Sequence, residues 1–364
     1  MAMIRRFGAA AALSLCASVG AHAQSVTLYG IIDTGVQYAH TGGTSVSRVE
    51  SSSVAPSRWG MIGTEDLGGG LAAVFKLEDG FNVNNGTIAG NGALFNREAW
   101  VGLRSNQWGQ VQVGNNYTPL FTTYVTYSQG DLNTLGWGNA TNNFVFVPVA
   151  RTANSIRYVS PAFAGLTVRA LYARGANGAT GQPRTLGDTA SVGFNFKAGQ
   201  FSADADYLQQ RFSTTSAVTT ASPTGTGRYY LFGASYDFGF VKPAFLYQIH
   251  RNTDSVTTAS NATYANPDND FYEVNALVPN LARGTLLLSF GQYRLRGNSS
   301  GNALSYGVRY DYFLSKRTGL YAGASYVKNN ANAAFTISNA GGAGIPVTAG
   351  NNIVSFIAGI VHRF

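Results

Sequence analysis

The chain has 364 residues and a formal net charge of +8, yet only 12% of its residues are charged, about half the share of a typical soluble domain. The single cysteine, Cys16, excludes a disulfide framework or a cysteine-based metal site, and the scattered Lys and Arg residues, without any basic run, argue against a nucleic-acid partner. After residue 23 no apolar stretch reaches the roughly 18 residues that a membrane-spanning helix needs, while Gly (44), Tyr (20) and Phe (22) are abundant.

In chain order, residues 1–23 read as a secretory signal peptide. Arg5 and Arg6 form its positive end, 7–19 is mostly apolar, and Ala21-His22-Ala23 is a small-x-small cleavage site. Cleavage there removes Cys16 and leaves residues 24–364 as one domain with a net charge of +6. An exported chain that is poor in charge, rich in aromatics and without an apolar helix points to an outer-membrane β-barrel. A secreted β-sandwich is the alternative.

Residues 26–38 set Val26, Leu28, Gly30, Ile32, Thr34, Val36 and Tyr38 against Thr27, Tyr29, Ile31, Asp33, Gly35 and Gln37. Residues 71–79 and 304–312 repeat this period of two, which marks strands with one apolar and one polar face. A sandwich would turn the apolar face inward and a membrane barrel would turn it to lipid, so alternation alone does not choose. The connectors do. Short turns at 67–70, 105–109, 161–165, 197–200, 237–240, 279–283 and 314–319 alternate with long polar loops at 41–56, 82–93, 175–187, 211–226, 251–270 and 329–350. Seven short turns imply sixteen strands when both termini share the short-turn rim, and sixteen strands enclose an aqueous channel. The expected fold is all-β, a 16-stranded antiparallel transmembrane β-barrel.

Residues 117–150 stand out. They lie between strand-like runs at 109–114 and 154–160 and carry five Tyr, Phe and Trp before Asn142, three Gly and one acid, Asp131. A loop so long is either functional or evidence against the assignment. The expectation is that it folds into the lumen and narrows it; a surface excursion is the alternative. The last strand, 351–364, ends on Phe364 and must pair with the first, because an open edge in lipid leaves backbone groups unsatisfied.

Six stretches together resemble the general porins of the Gram-negative outer membrane, in their neisserial and β-proteobacterial branch. They are SVTLYGIID (25–33), SRWGMIGTEDLGGGL (57–71), NREAWVGL (96–103), NSIRYVSPAFAGL (154–166), LSKRTGLY (314–321) and the terminal HRF. The resemblance implies a homotrimer in outer-membrane lipid, with the long third loop folded into the barrel opposite a ladder of basic side chains. On motif matches Arg58, Arg97 and Arg151 fall at the ladder positions, with Asp131 as the one acid available to the facing loop.

The residues support this independently. Arg58 and Arg97 are expected on transmembrane strands, where a lipid-facing Arg near the midplane costs about 2–4 kcal/mol, so both should face water. Lys76 and Arg157 are further pore-lining candidates. If Arg97 points inward, strict alternation turns Glu98 outward. No HExxH, GxSxG, Walker loop or cysteine pair is present, so an enzyme, a cofactor and a metal are not expected; a barrel hydrolase assembled from separate strands and a purely adhesive barrel are the remaining alternatives. The reading is a channel for passive diffusion of small hydrophilic solutes and inorganic anions, its anion preference set by three unpaired arginines. A substrate-selective channel, with Tyr117, Phe121, Tyr124 and Tyr127 as an aromatic track, is its rival. Phe364 is expected to serve barrel closure and assembly, including recognition by the barrel-assembly machinery.

Overall fold

Alternating apolar and polar side chains give a strand two unlike faces, and the computed structural model of the chain shows what each face meets. It describes residues 25–90, 92–128, 150–175, 181, 183–213, 224–253, 268–337 and 344–364; the predicted signal peptide at 1–23 and Asp131 lie outside these. The strands are β1 (Ser25–Thr41), β2 (Thr44–Ser51), β3 (Arg58–Gly68), β4 (Leu71–Gly80), β5 (Glu98–Ser105), β6 (Gly109–Tyr117), β7 (Arg151–Val159), β8 (Leu166–Ala173), β9 (Thr189–Ala198), β10 (Phe201–Ser213), β11 (Thr224–Tyr236), β12 (Lys242–Asn252), β13 (Asn269–Leu281), β14 (Gly284–Leu295), β15 (Ala303–Phe313), β16 (Thr318–Asn329) and β17 (Ile353–Arg363). One helix, α1 (Pro119–Tyr127), follows β6.

Successive strands pair antiparallel, and β17 returns to β1 in register from Ile31↔Arg363 to Thr41↔Ile353. Beyond β17 the backbone of Phe364 exchanges two hydrogen bonds with Gly30, each 3.1 Å. Strands β2 and β3 both pair with β1, along 34–41 and 25–31 respectively. They are two halves of one interrupted stave, so the closed barrel has sixteen staves.

The exposed face carries Val26, Leu28, Val36, Val101, Val274 and Phe356, while Asp33, Gln37, Asn116, Gln248 and Asn275 are buried on the inner one. A soluble sandwich would have the reverse order. An apolar belt of this extent, around a barrel with no open edge, is a lipid-facing surface. That decides between the two architectures.

All seven short turns join consecutive strands on the rim that holds both ends of the barrel. The opposite rim departs from the reading in two places. The predicted loop 41–56 is largely a hairpin, because Val46, Arg48 and their neighbours extend the pairing beyond a tight turn at Gly42-Gly43. Only 52–57 leaves the wall, and it turns inward: Ser52, Ser53, Val54 and Ala55 are buried. Between β14 and β15 lies a further, short loop that the sequence reading did not count among the long ones.

Candidate functional site

Two groups of inward side chains divide the lumen. The first is built by β3 to β7. Alternation along β4 points Lys76 and Glu78 inward, and β5 sets Trp100 and Glu98 across from them. Glu78 is the hub. It accepts hydrogen bonds from Arg97 Nε and Tyr29 Oη, each at 2.7 Å, and lies 3.5 Å from Lys76 Nζ and 3.6 Å from Arg58 Nε. Glu98 pairs with Lys76 and accepts from Trp100 Nε1 at 3.0 Å. Arg97 Nη2 also donates to Tyr117 Oη at 2.7 Å, and the Arg151 guanidinium sits 5.6 Å from the centre of the same ring. The structure thus brings Arg58, Lys76, Arg97 and Arg151 to one patch at the root of 117–150. Arg157 lies apart on β7 and donates to Gln112 at 3.1 Å.

Arg58 owes its place to the inward segment 52–57. Asp33 Oδ2 accepts from the amides of Val54 (2.6 Å) and Ala55 (2.7 Å), and its Oδ1 accepts from Tyr321 Oη at 2.7 Å. This carboxylate pins the segment to the wall, and Arg58, which starts β3, donates from Nη1 to the carbonyl of Pro56 at 3.1 Å.

Two expectations fail here. Arg97 is not on a strand but just before β5, where Phe95 has a left-handed φ of 56°. The bend resets the alternation, so Glu98 points inward together with Arg97. Nor are the three arginines unpaired, because Glu78 holds Arg58 and Arg97. What survives is a layering. Arg58, Lys76 and Arg97 keep 23%, 20% and 14% of their side chains exposed, whereas Glu78 keeps 4% and Glu98 7%. The cations meet the lumen and the carboxylates lie behind them.

The second group is organised by α1. Thr118 caps the helix, its Oγ1 accepting from the Phe121 amide at 3.2 Å, and Pro119 follows where its missing N–H costs nothing. Leu120, Thr123, Tyr124 and Tyr127 recur at helical spacing and are buried, packed with Leu208, Leu231, Leu246 and Phe271 from the inner face of β10 to β13. Polar anchors fix the helix. Asp204 Oδ2 accepts from Thr123 at 2.7 Å, its Oδ1 accepts from Tyr127 Oη at 2.8 Å, and Arg169 on β8 pairs with the same carboxylate. Glu273 accepts from Ser128 Oγ at 2.8 Å, and Asn275 donates to the Tyr127 carbonyl at 3.0 Å. Gly233 leaves room for the Tyr127 ring, since a Cβ there would come within 2.3 Å of it. The beginning of 117–150 therefore lies on the inner wall; the rest, 129–149, is outside the described residues.

The sequence profile of the Gram-negative porins matches residues 9–332. This chain belongs to that family. Among its relatives, an outer membrane porin of Bordetella pertussis is 32% identical, over 93% of this chain and 97% of that one. Outer membrane porin protein 32 of Delftia acidovorans is 30% identical, over 96% and 97%. The solved structure of an anion-selective porin from Comamonas acidovorans superposes with a TM-score of 0.77 at 26% identity, covering 94% of this chain and all of that one. As a porin, the chain is an outer-membrane protein, and its inner wall is the wall of a channel.

Several residues that organise this porin's lumen escaped the sequence reading. Glu78 was visible as the polar-face neighbour of Lys76, but nothing local shows that four donors converge on it. Asp33 and Asp204 look like ordinary lumen carboxylates until the segments they hold are placed. For α1 a signal did exist, in Thr118-Pro119 and the 120, 123, 124, 127 spacing.

Proposed function

We propose that this porin passes small hydrophilic solutes by passive diffusion and prefers anions, with 117–150 as its constriction and Arg58, Lys76, Arg97 and Arg151 as the charged wall at that level. The carrying observation is the layered patch, in which four cations stand over two carboxylates. A permeating anion meets guanidinium and ammonium groups first and the carboxylates only at second distance. At about 4 Å a unit pair interacts by about 1 kcal/mol at the dielectric of water and about 4 kcal/mol at an effective value near 20; a hydrated lumen lies towards the lower figure. The Debye length of about 8 Å at physiological salt leaves such an interaction in force across a narrow passage. An excess of two cations then biases permeation by about 1–2 kcal/mol, or roughly tenfold. Because ions must also leave, the wall acts as a bias and not a tight binding site.

The selectivity stated for the Comamonas porin supports the same preference. An aromatic track for one substrate class is less well supported, because the Tyr124 and Tyr127 rings are buried under α1. A homotrimer, as the family resemblance implies, and insertion by the barrel-assembly machinery through Phe364 belong to the same proposal. The test is the reversal potential of the channel in a planar bilayer under a KCl gradient. Anion preference is expected, shrinking in molar salt where the Debye length falls to about 3 Å; a cation-selective native channel would overturn the reading.

A further inference from the structure

The helix that anchors the beginning of 117–150 has a second face that the anchoring does not use. Leu120, Thr123, Tyr124 and Tyr127 turn to the wall, so Phe121, Thr122, Val125 and Thr126 turn to the lumen, with Val125 37% exposed. No residue of α1 carries a charge. Both threonines on this face spend their hydroxyl protons inside the helix, Thr122 on the Thr118 carbonyl at 3.1 Å and Thr126 on the Thr122 carbonyl at 2.7 Å. What the helix offers to water is therefore an apolar strip of one ring, one branched aliphatic side chain and two threonine methyls. Chloride has no use for such a strip.

The strip meets the cationic patch at Tyr117. Phe121 stacks on that ring, with centres 4.9 Å apart and planes 13° from parallel. Two guanidiniums neighbour the same ring, Arg151 at 5.6 Å and Arg97 at 6.0 Å from its centre. Apolar and cationic surfaces are thus joined through one residue. A solute that satisfies both is an anion at one end and flat and apolar at the other. Burial of Tyr124 and Tyr127 leaves no track of rings along the channel; Phe121 and Val125 form a single step beside the charges.

We propose that, among anions, this channel favours aromatic monocarboxylates, the carboxylate resting on Arg97 and Arg151 and the ring against Phe121 and Val125. The inference rests on the anion preference proposed above and names a solute class for it. A guanidinium receives a carboxylate by charge-assisted hydrogen bonds, and the ring adds one aromatic contact. Such a contact changes binding by roughly two- to tenfold, which slows a solute without holding it.

The test is block of the chloride current through the full-length porin in a planar bilayer by benzoate, acetate and benzylammonium, read as half-blocking concentrations. Benzoate should block at a concentration roughly two- to tenfold lower than acetate. Benzylammonium, which carries a similar ring with the opposite charge, should not match it. Phe121→Leu removes the ring and keeps an apolar side chain, while Val125→Thr keeps the shape of the strip and makes it polar; each should narrow the difference between benzoate and acetate. Equal block by benzoate and acetate in the native porin overturns the inference whether or not the variants fold. Block by benzylammonium at the benzoate concentration, or an undiminished difference in both folded variants, overturns it too. Where the native channel is anion-selective by reversal potential, these results leave the proposed function standing; a cation-selective native channel overturns both.

Discussion

The lumen sets two walls with similar chemistry to different work. On β3 to β7, Glu78 and Glu98 pair with cations that stay partly in water. On β8 to β13, Arg169 and Asp204 pair beneath α1 with 8% and 1% of their side chains exposed. An ion pair in a wet groove is worth little, and its excess charge remains available to passing ions. A buried pair is costly to break, because the group left behind cannot be resolvated. On the proposed function, solvent access, more than the identity of the charges, makes one wall selective and the other an anchor.

Breaking the anchor should give the largest effect. Asp204→Ala leaves Arg169 buried without its carboxylate and takes an acceptor from Thr123 and Tyr127. A loss of about 3–5 kcal/mol is expected, seen as a lower denaturation midpoint of the folded barrel and faster proteolysis within 119–127. A variant with native midpoint and cleavage rate would remove Asp204 from its anchoring role. Selectivity should move little until α1 detaches.

Neutralising the other wall should do the reverse. With Arg58, Arg97 and Arg151 all changed to Gln, Lys76 alone faces Glu78 and Glu98, so the anion preference of about 1–2 kcal/mol should be lost or weakly reversed in reversal-potential measurements, with a smaller stability change than in Asp204→Ala. Unchanged selectivity in that variant would sink the assignment of these residues.

The smallest effect sharpens the layering. Glu78→Gln withdraws one screened negative charge from behind the cations, so anion preference should rise by about 1 kcal/mol or less, up to roughly fivefold. A fall in preference would mean that Glu78 matters more for positioning Arg58 and Arg97 than for its charge.

Most of the barrel was legible because lipid and water impose opposite demands on successive residues, and β1 shows this almost without exception. The reading failed where a local rule was interrupted from a distance. Strict alternation misplaced Glu98 because the bend at Phe95 lies outside any strand. On β11 the run Tyr229, Tyr230, Leu231, Phe232 is apolar on both faces, and what covers its inner side is a helix about a hundred residues earlier in the chain. The four basic residues of the patch were legible as pore-lining candidates. Their carboxylate partners were not, since convergence of Tyr29 on β1, Arg58 at the start of β3, Lys76 on β4 and Arg97 just before β5 on Glu78 exists only in three dimensions.

The meeting of Gly30 with Phe364 also has a consequence in time. Gln37 Nε2 donates to Ser355 Oγ across 318 residues of chain, and β1 cannot complete its pairing until the final strand has been made. Contacts so distant in sequence form late, and no smaller barrel satisfies the edges in the meantime. Until Phe364 arrives β1 keeps an open edge, and exposed strand edges beside aromatic-rich faces are the features most prone to aggregate. The chain's period of greatest risk is thus the interval before closure, while the edge of the first strand is still open.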